Sequence, residues 1–278
     1  MGTRGKLHDR VALVTGAGRG IGREIARKLA EEGARLVLND LDPDPACETA
    51  EQMRALGAEA LAFPGDVAAP DFGGAIVAHA LDRLGGLDII VNNAGYIWNT
   101  SIQKATDAQW EAMFAVHASA PFRILRAAAA HFRSAAQREA AEGRPITRKV
   151  VNVSSVSGTH GAATQVSYSA AKAAQIGLTR SLAQEWGRYH VTVNAVAFGT
   201  IDTRLTQVWS DGKAAISVQG RELPVGLSAE QLAEISRLTP LGRPGTPQEA
   251  AGAVYLLCIP ESDFITGHVL ICSGGRYV

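Results

Sequence analysis

The sequence predicts an α/β fold, one doubly wound domain whose parallel sheet of about seven strands carries helices on both faces. Three observations carry this expectation. Short apolar runs alternate with longer amphipathic stretches along the 278 residues, which is the rhythm of strand–helix–strand units with right-handed crossovers. The short runs are continuously apolar rather than alternating, as in strands covered on both faces. Hydrophobic residues make up 46% of the chain and charged residues 19%, enough apolar material for one sizeable core and too few charges for disorder.

The strands are expected at Val11–Thr15, Arg35–Asn39, Ala60–Phe63, Asp88–Asn92, Val150–Val153, Val191–Val196 and Val269–Ile271. Helical periodicity fills Ile21–Glu32, Ala46–Leu56, Ala75–Leu84 and Asp107–Ala136. Two segments break the rhythm. Arg138–Lys149 is polar, holds Gly143 and Pro145, and reads as an exposed connection. Thr206–Pro244 is long for a loop and only weakly helical near Ser228–Arg237. Within one domain spanning 1–278, the segment 206–244 is expected to be a substrate lid, a plain surface excursion being the other reading.

Lysine plus arginine and aspartate plus glutamate number 27 each, so no net field points to nucleic acid or an anionic membrane. Cys47, Cys258 and Cys272 form no CxxC pair and no metal-binding cluster, which suits a reduced, cytoplasmic setting without metal. The start MGTRGKLHDR lacks an apolar core for a secretory signal, and Lys6 stands where N-myristoylation wants Ser or Thr. No stretch approaches the ~18 apolar residues of a membrane span. A soluble protein is expected.

The first strand runs into Thr15-Gly16-Ala17-Gly18-Arg19-Gly20-Ile21-Gly22 and then a helix. Glycines there let backbone N–H groups approach a pyrophosphate, and the helix start adds unpaired donors. The spacing differs from G-x-G-x-x-G, and turns collect glycine anyway. Asp40 closes the second strand and is placed to bind the adenosine ribose hydroxyls; it would repel a 2′-phosphate, favouring NAD over NADP. It is also placed to cap the turn with Asp42 and Pro43. Arg19 pulls toward NADP. Asp66 with Val67, and Asn93, Ala94 and Gly95 after the fourth strand, lie at the sheet edge where ligands bind in such folds, or serve turns.

Tyr168 and Lys172 stand four apart in SYSAAKAA and share a helix face. A phenol with pKa near ~10 is a poor base. An ammonium beside it favours the phenolate, and Ser155, after the fifth strand, is placed to hydrogen-bond a substrate oxygen.

Taken together, TGAGRGIG, NNAG, a serine thirteen positions before the tyrosine, and YSAAK resemble the short-chain dehydrogenase/reductase family, in order and from Lys6 to the C-terminus. The resemblance implies a Rossmann-type domain, a nicotinamide cofactor and a homotetramer paired through helices near Asp107–Ala136 and Ser169–Trp186. It implies that Ser155 stabilises a carbonyl oxygen, that Tyr168 is the general acid/base, and that Lys172 lowers its pKa and binds the nicotinamide ribose. Gly16, Gly20 and Gly22 would line the pyrophosphate, Asp66, Asn93 and Gly95 the adenine side, and Ile201 and Thr203 the carboxamide, with Arg19, Ile21, Val67 and Ala94 as further cofactor contacts.

Two positions depart from the family. His117 stands where an asparagine usually helps hold a relay water, and its imidazole, titrating near ~6.5 unperturbed, would carry protons or simply pack. Phe198 replaces a proline before Gly199 and is expected to pack against cofactor or substrate. Tyr96, Trp98, His160 and Trp209 are candidates for the substrate end. The stretch SVSGTHGAATQVSY is similar to that of 3-oxoacyl-thioester reductases, so a 3-oxoacyl/3-hydroxyacyl thioester on carrier protein or CoA is the expected substrate. A steroid, sugar or polyol alcohol is the rival, and a catalytically silent cofactor-binding regulator the reading of another class. Arg123, Arg126 or Arg133 at the pocket mouth would favour a carrier or CoA phosphate.

Overall fold

The computed structural model of the chain describes residues 5–208, 214–218 and 220–276. The first strand, β1 (Val11–Val14), shows why the strand runs are apolar throughout. Val11 and Leu13 enter one core layer, while Ala12 and Val14 enter the other. The chain continues through α1 (Gly20–Glu31), β2 (Arg35–Leu38), α2 (Pro43–Ala55), β3 (Ala60–Ala62), α3 (Phe72–Leu84) and β4 (Ile89–Asn92). Then come α4 (Asp107–Phe114), α5 (Ala120–Ala141), β5 (Arg148–Ser155), α6 (Val156–His160), α7 (Val166–Trp186) and β6 (Val191–Phe198). The remainder is β7 (Ala214–Val218), β8 (Arg221–Val225), α8 (Ala229–Leu238), α9 (Pro247–Leu256) and β9 (Val269–Cys272).

Seven strands form one parallel sheet in the order β3-β2-β1-β4-β5-β6-β9. Residues of α1, α2 and α9 cover one face, and α3, α5 and α7 cover the other. The strand order reverses between β1 and β4, which opens a crevice at the carboxyl edge. Thr15 closes the floor of that crevice: its hydroxyl accepts from the backbone N–H of Asn93 and Ala94, 3.0 Å each.

Three expectations need correction. The central strands β5 and β6 are eight residues each, longer than expected: β5 gains polar ends whose side chains find buried partners, and β6 runs on through Ala197 and Phe198. The stretch Arg138–Lys149 is not one exposed connection. Residues through Ala141 continue α5, and the buried Arg148 on β5 makes a two-pronged ion pair with Glu139. Lys149, also buried, reaches Ser262 and Asp263. The predicted helix Asp107–Ala136 is interrupted by a π-helical turn, Ala115–Ser119, centred on His117. An extra residue per turn re-aims side chains and commonly marks functional sites.

The described residues after β6 include regular elements. β7 and β8 form an antiparallel hairpin, and α8 opens with a Ser228–Gln231 capping box. Among the described residues no helix is long and apolar enough to cross a membrane.

Candidate active site

The carboxyl edge of the sheet holds a cleft of about 360 Å³. Its lining includes Gly16, Arg19, Gly20, Ile21, Gly22, Asp40, Asp66, Val67, Asn93, Ala94 and Gly95 at one end. Toward the other end it includes His117, Ser155, Tyr168, Lys172, Ile201 and Thr203. The residues expected at the site therefore meet in one crevice.

The glycine loop is shaped by contacts that leave no room for side chains. A Cβ on Gly22 would lie 1.9 Å from the Gly16 carbonyl oxygen, and Gly16 holds φ +62° with Ala94 pressed beneath it. Asn93 donates its side-chain amide to the carbonyls of Thr15 and Gly16, at 2.9 and 3.0 Å. No side chain caps the start of α1, so its first-turn N–H groups are open to an anion. Asp40 has two jobs at once. One carboxylate oxygen accepts from Gly18 N–H at 2.9 Å and the other from Asp42 N–H at 3.2 Å, so the turn reading and the cleft reading both hold. Arg19 donates to Asp42 at 2.7 Å. This end fits a dinucleotide: open amides for a pyrophosphate, then a carboxylate one strand away for a ribose.

At the chemical end, β5 delivers Ser155 and α7 delivers Tyr168 and Lys172 from one face. α6 and α7 pack so closely that a Cβ on Gly158 would lie 2.8 Å from Lys172 backbone. Lys172 Nζ donates to the Val153 carbonyl at 2.5 Å and lies 5.8 Å from the centroid of the Tyr168 ring. Burial pushes the Tyr168 phenol up to about 12, opposed by its hydrogen bond with Ser155. Burial pulls Lys172 down to about 7. Burial thus pushes both groups toward their neutral forms, opposing the pull of a lysine ammonium on the phenol.

His117, 1% exposed, sits edge-on to Tyr168, with ring centroids 5.2 Å apart. Its Nε2 lies 2.8 Å from the Tyr96 carbonyl, which only accepts, so Nε2 carries the proton and Nδ1 presents a lone pair. Among the described residues that Nδ1 has no partner. A Cβ on Gly95 would lie 2.8 Å from it, so the glycine is what admits the ring. Burial, then the nearby Lys172, holds the imidazole well below its ordinary range. His117 is neutral at working pH rather than titrating near its usual value.

Of the substrate-end candidates, Tyr96 and Phe198 line the cleft, Phe198 being also part of the core behind it. Trp98 packs one layer back, against Leu223 and Val225 of β8 together with Tyr96 and Leu205. His160 is exposed outside the cleft, beside Thr159. Trp209 lies outside the described residues. None of Arg123, Arg126 and Arg133 lines the cleft. Arg123 donates to the Ala68 carbonyl and Arg126 lies over Phe122.

Sequence reasoning missed three features. Asn39 donates to the carbonyls of Asp40, Phe63 and Gly65, tying the ends of β2 and β3 beneath the cleft. A buried ladder, Asn92 to Asn152 to Thr179, joins β4, β5 and α7 under Ser155, Tyr168 and Lys172; asparagines inside apolar strand runs were its visible signal. Arg204, next to Thr203, lines the cleft.

The sequence profile described as short chain dehydrogenase matches residues 10–214. The chain is 35% identical over 272 residues to a 3-oxoacyl-[acyl-carrier-protein] reductase of Vibrio cholerae, covering 98% of this chain and 99% of that protein. It is 34% identical over 270 residues to a (2S)-[(R)-hydroxy(phenyl)methyl]succinyl-CoA dehydrogenase subunit of Thauera aromatica, covering 97% of each. A solved blue fluorescent protein from a metagenomic library, in complex with NADPH, superposes with a TM-score of 0.82 at 28% identity, over 98% of this chain and all of that one.

Proposed function

The chain belongs to the short-chain dehydrogenase family and is an oxidoreductase acting on CH–OH groups, and from that premise we propose that it uses NAD(H) on a 3-oxoacyl/3-hydroxyacyl thioester, on carrier protein or CoA. The observation that carries the reading is the meeting of Ser155, Tyr168 and Lys172 with the glycine loop in one cleft.

When bound, the nicotinamide supplies or takes the hydride. The chain's own residues do the rest. Ser155 and Tyr168 hydrogen-bond the substrate oxygen, and Tyr168 gives up its phenolic proton as the carbonyl becomes an alcohol. Lys172, fixed by the Val153 carbonyl, returns a proton toward the tyrosine. His117 offers its bare Nδ1 as an acceptor on the inner side of that pair, holding the proton path as a neutral group. Replacing it by asparagine is expected to lower kcat a few-fold without creating a new ionisation near pH 6.5; an unchanged rate and profile would reduce His117 to packing.

Asp40 supports NADH. Its carboxylate is anchored by two backbone amides, so it does not swing away from an incoming 2′-phosphate, and Arg19 is engaged by Asp42. The NADPH-bound relative keeps the opposite preference in play, and titration of the protein with both cofactors, followed by acetoacetyl-CoA, is the test. NADH preference with turnover is the expected result. NADPH preference overturns the Asp40 argument, and turnover only of unrelated ketones overturns the thioester. We place the protein in the cytoplasm, supported by its free thiols at Cys47, Cys258 and Cys272, as a homotetramer paired through α5 and α7. A substrate lid over 206–244 is supported by the hairpin packed on Tyr96 and Trp98.

A further inference from the structure

The substrate end of the cleft is walled by Tyr96, Ile97 and Leu205, with Leu223 and Val225 of β8 packed behind Tyr96 and Leu205. An apolar wall of this kind takes its orientation from the few polar groups at its edge. The cations on the cleft lining differ sharply in what they already hold. Arg19 is paired with Asp42, and Lys172 is buried against Val153. Arg204 is exposed and lines the cleft with no hydrogen bond or ion pair among the described residues.

Its backbone is held firmly even so. The Thr206 hydroxyl accepts from Thr203 N–H at 2.9 Å and lies 2.6 Å from the Ile201 carbonyl to which it donates. Gly226 N–H donates to the Leu205 carbonyl at 3.0 Å, tying the end of β8 to the same turn. A guanidinium on a clamped turn, beside an apolar wall and without a partner, is a recognition group for a carboxylate or phosphate.

We propose that Arg204 is a specificity residue that binds an anionic group, carboxylate or phosphate, carried by the substrate away from its reacting carbonyl. The proposal rests on the carbonyl-reductase reading above and names the substrate class more closely: an apolar body next to the carbonyl and an anion at the rim.

The test compares three carbonyl substrates with NADH: neutral ethyl acetoacetate, monoethyl 3-oxoglutarate with a carboxylate, and acetoacetyl-CoA with phosphates. The natural protein is expected to prefer at least one anionic substrate in KM. In Arg204→Gln that preference over the neutral ester should collapse about tenfold, the scale of one charge-assisted hydrogen bond at an exposed site, with Arg204→Lys recovering part of it. Loss for the oxoglutarate ester alone supports Arg204 and counts against the thioester reading; loss for acetoacetyl-CoA supports both. A parallel rise in KM for all three substrates, an unchanged preference, or a loss appearing instead in direct NADH binding by fluorescence overturns the proposal. The last of these would assign the guanidinium to the cofactor.

Discussion

At the glycine-loop end, the cleft wall is backbone: a carbonyl, an αL glycine and open helix amides, fixed by contacts too tight for any side chain. At the substrate end the wall is side chains, Tyr96, Ile97, Leu205 and Arg204, brought in by the loop after β4 and the turn after β6 and backed by one further apolar layer on the hairpin. The first construction tolerates almost no change and recognises a ligand part by shape. The second tolerates change and sets which substrate is taken. Ser155, Tyr168 and Lys172 lie on the seam, where β5 ends and α7 passes.

The largest expected effect belongs to the seam, because it serves both ends. Tyr168→Phe should lower kcat by about 10³-fold, the range for losing a positioned acid–base group, while NADH still binds. A loss of binding equal to the loss of rate would make Tyr168 part of one end. The same seam sets the pH profile. Lys172, pulled down to about 7 by burial, is an ammonium below that value and a neutral amine above it. Carbonyl reduction consumes a proton, so its rate should fall as pH rises through about 7. Tyr168, pushed up to about 12, remains protonated across that range and does not cause the fall. A flat profile from pH 6 to 9 would place the lysine ionisation elsewhere.

Next in size is a change at the backbone-built end. Gly22→Ala places a methyl against the Gly16 carbonyl, and helix and loop must part. NADH affinity should drop by about two orders of magnitude, measured by fluorescence titration, with circular dichroism confirming the fold. An alanine variant that binds normally would show that this end has slack, and the contrast between the two ends would fail. Asp40→Ser is the milder probe. Removing one carboxylate should shift the NADPH/NADH affinity ratio by about tenfold toward NADPH; no shift would leave Asp40 as a turn residue only.

The same contrast explains what could be read in advance. Glycine spacing, strand order and the Tyr168–Lys172 pair are local patterns, and local geometry dictates what they build. His117 was visible as a residue, but its π-helical turn and the Tyr96 carbonyl that orients it depend on packing between α4, α5 and the loop after β4. Glu139 and Arg148 fell in a stretch that reads as an exposed connection, because their partnership crosses from a helix end to a strand start. Arg204 sat unremarked in FGTIDTR, since a single arginine reveals nothing until the cleft that it borders is assembled. The lowered Lys172 pKa was hidden for the same reason: burial is a property of the fold, and it pulls the amine toward its neutral form.

The smallest predicted effect tests the side-chain-built end at one remove. Leu223 on β8 does not line the cleft; it packs behind Tyr96 and Leu205, which do. Leu223→Ser removes apolar contact and buries a hydroxyl beside rings that offer few acceptors. The wall should loosen, raising KM for an acyl substrate about three- to fivefold, with kcat falling less. NADH affinity should stay the same, because among the described residues none of the hairpin lines the cleft beside the glycine loop. If affinity for NADH falls with the substrate's, the hairpin braces the whole cleft and the two ends act as one. If neither moves, the hairpin is a surface excursion, and the specificity lies wholly in the turn that carries Arg204.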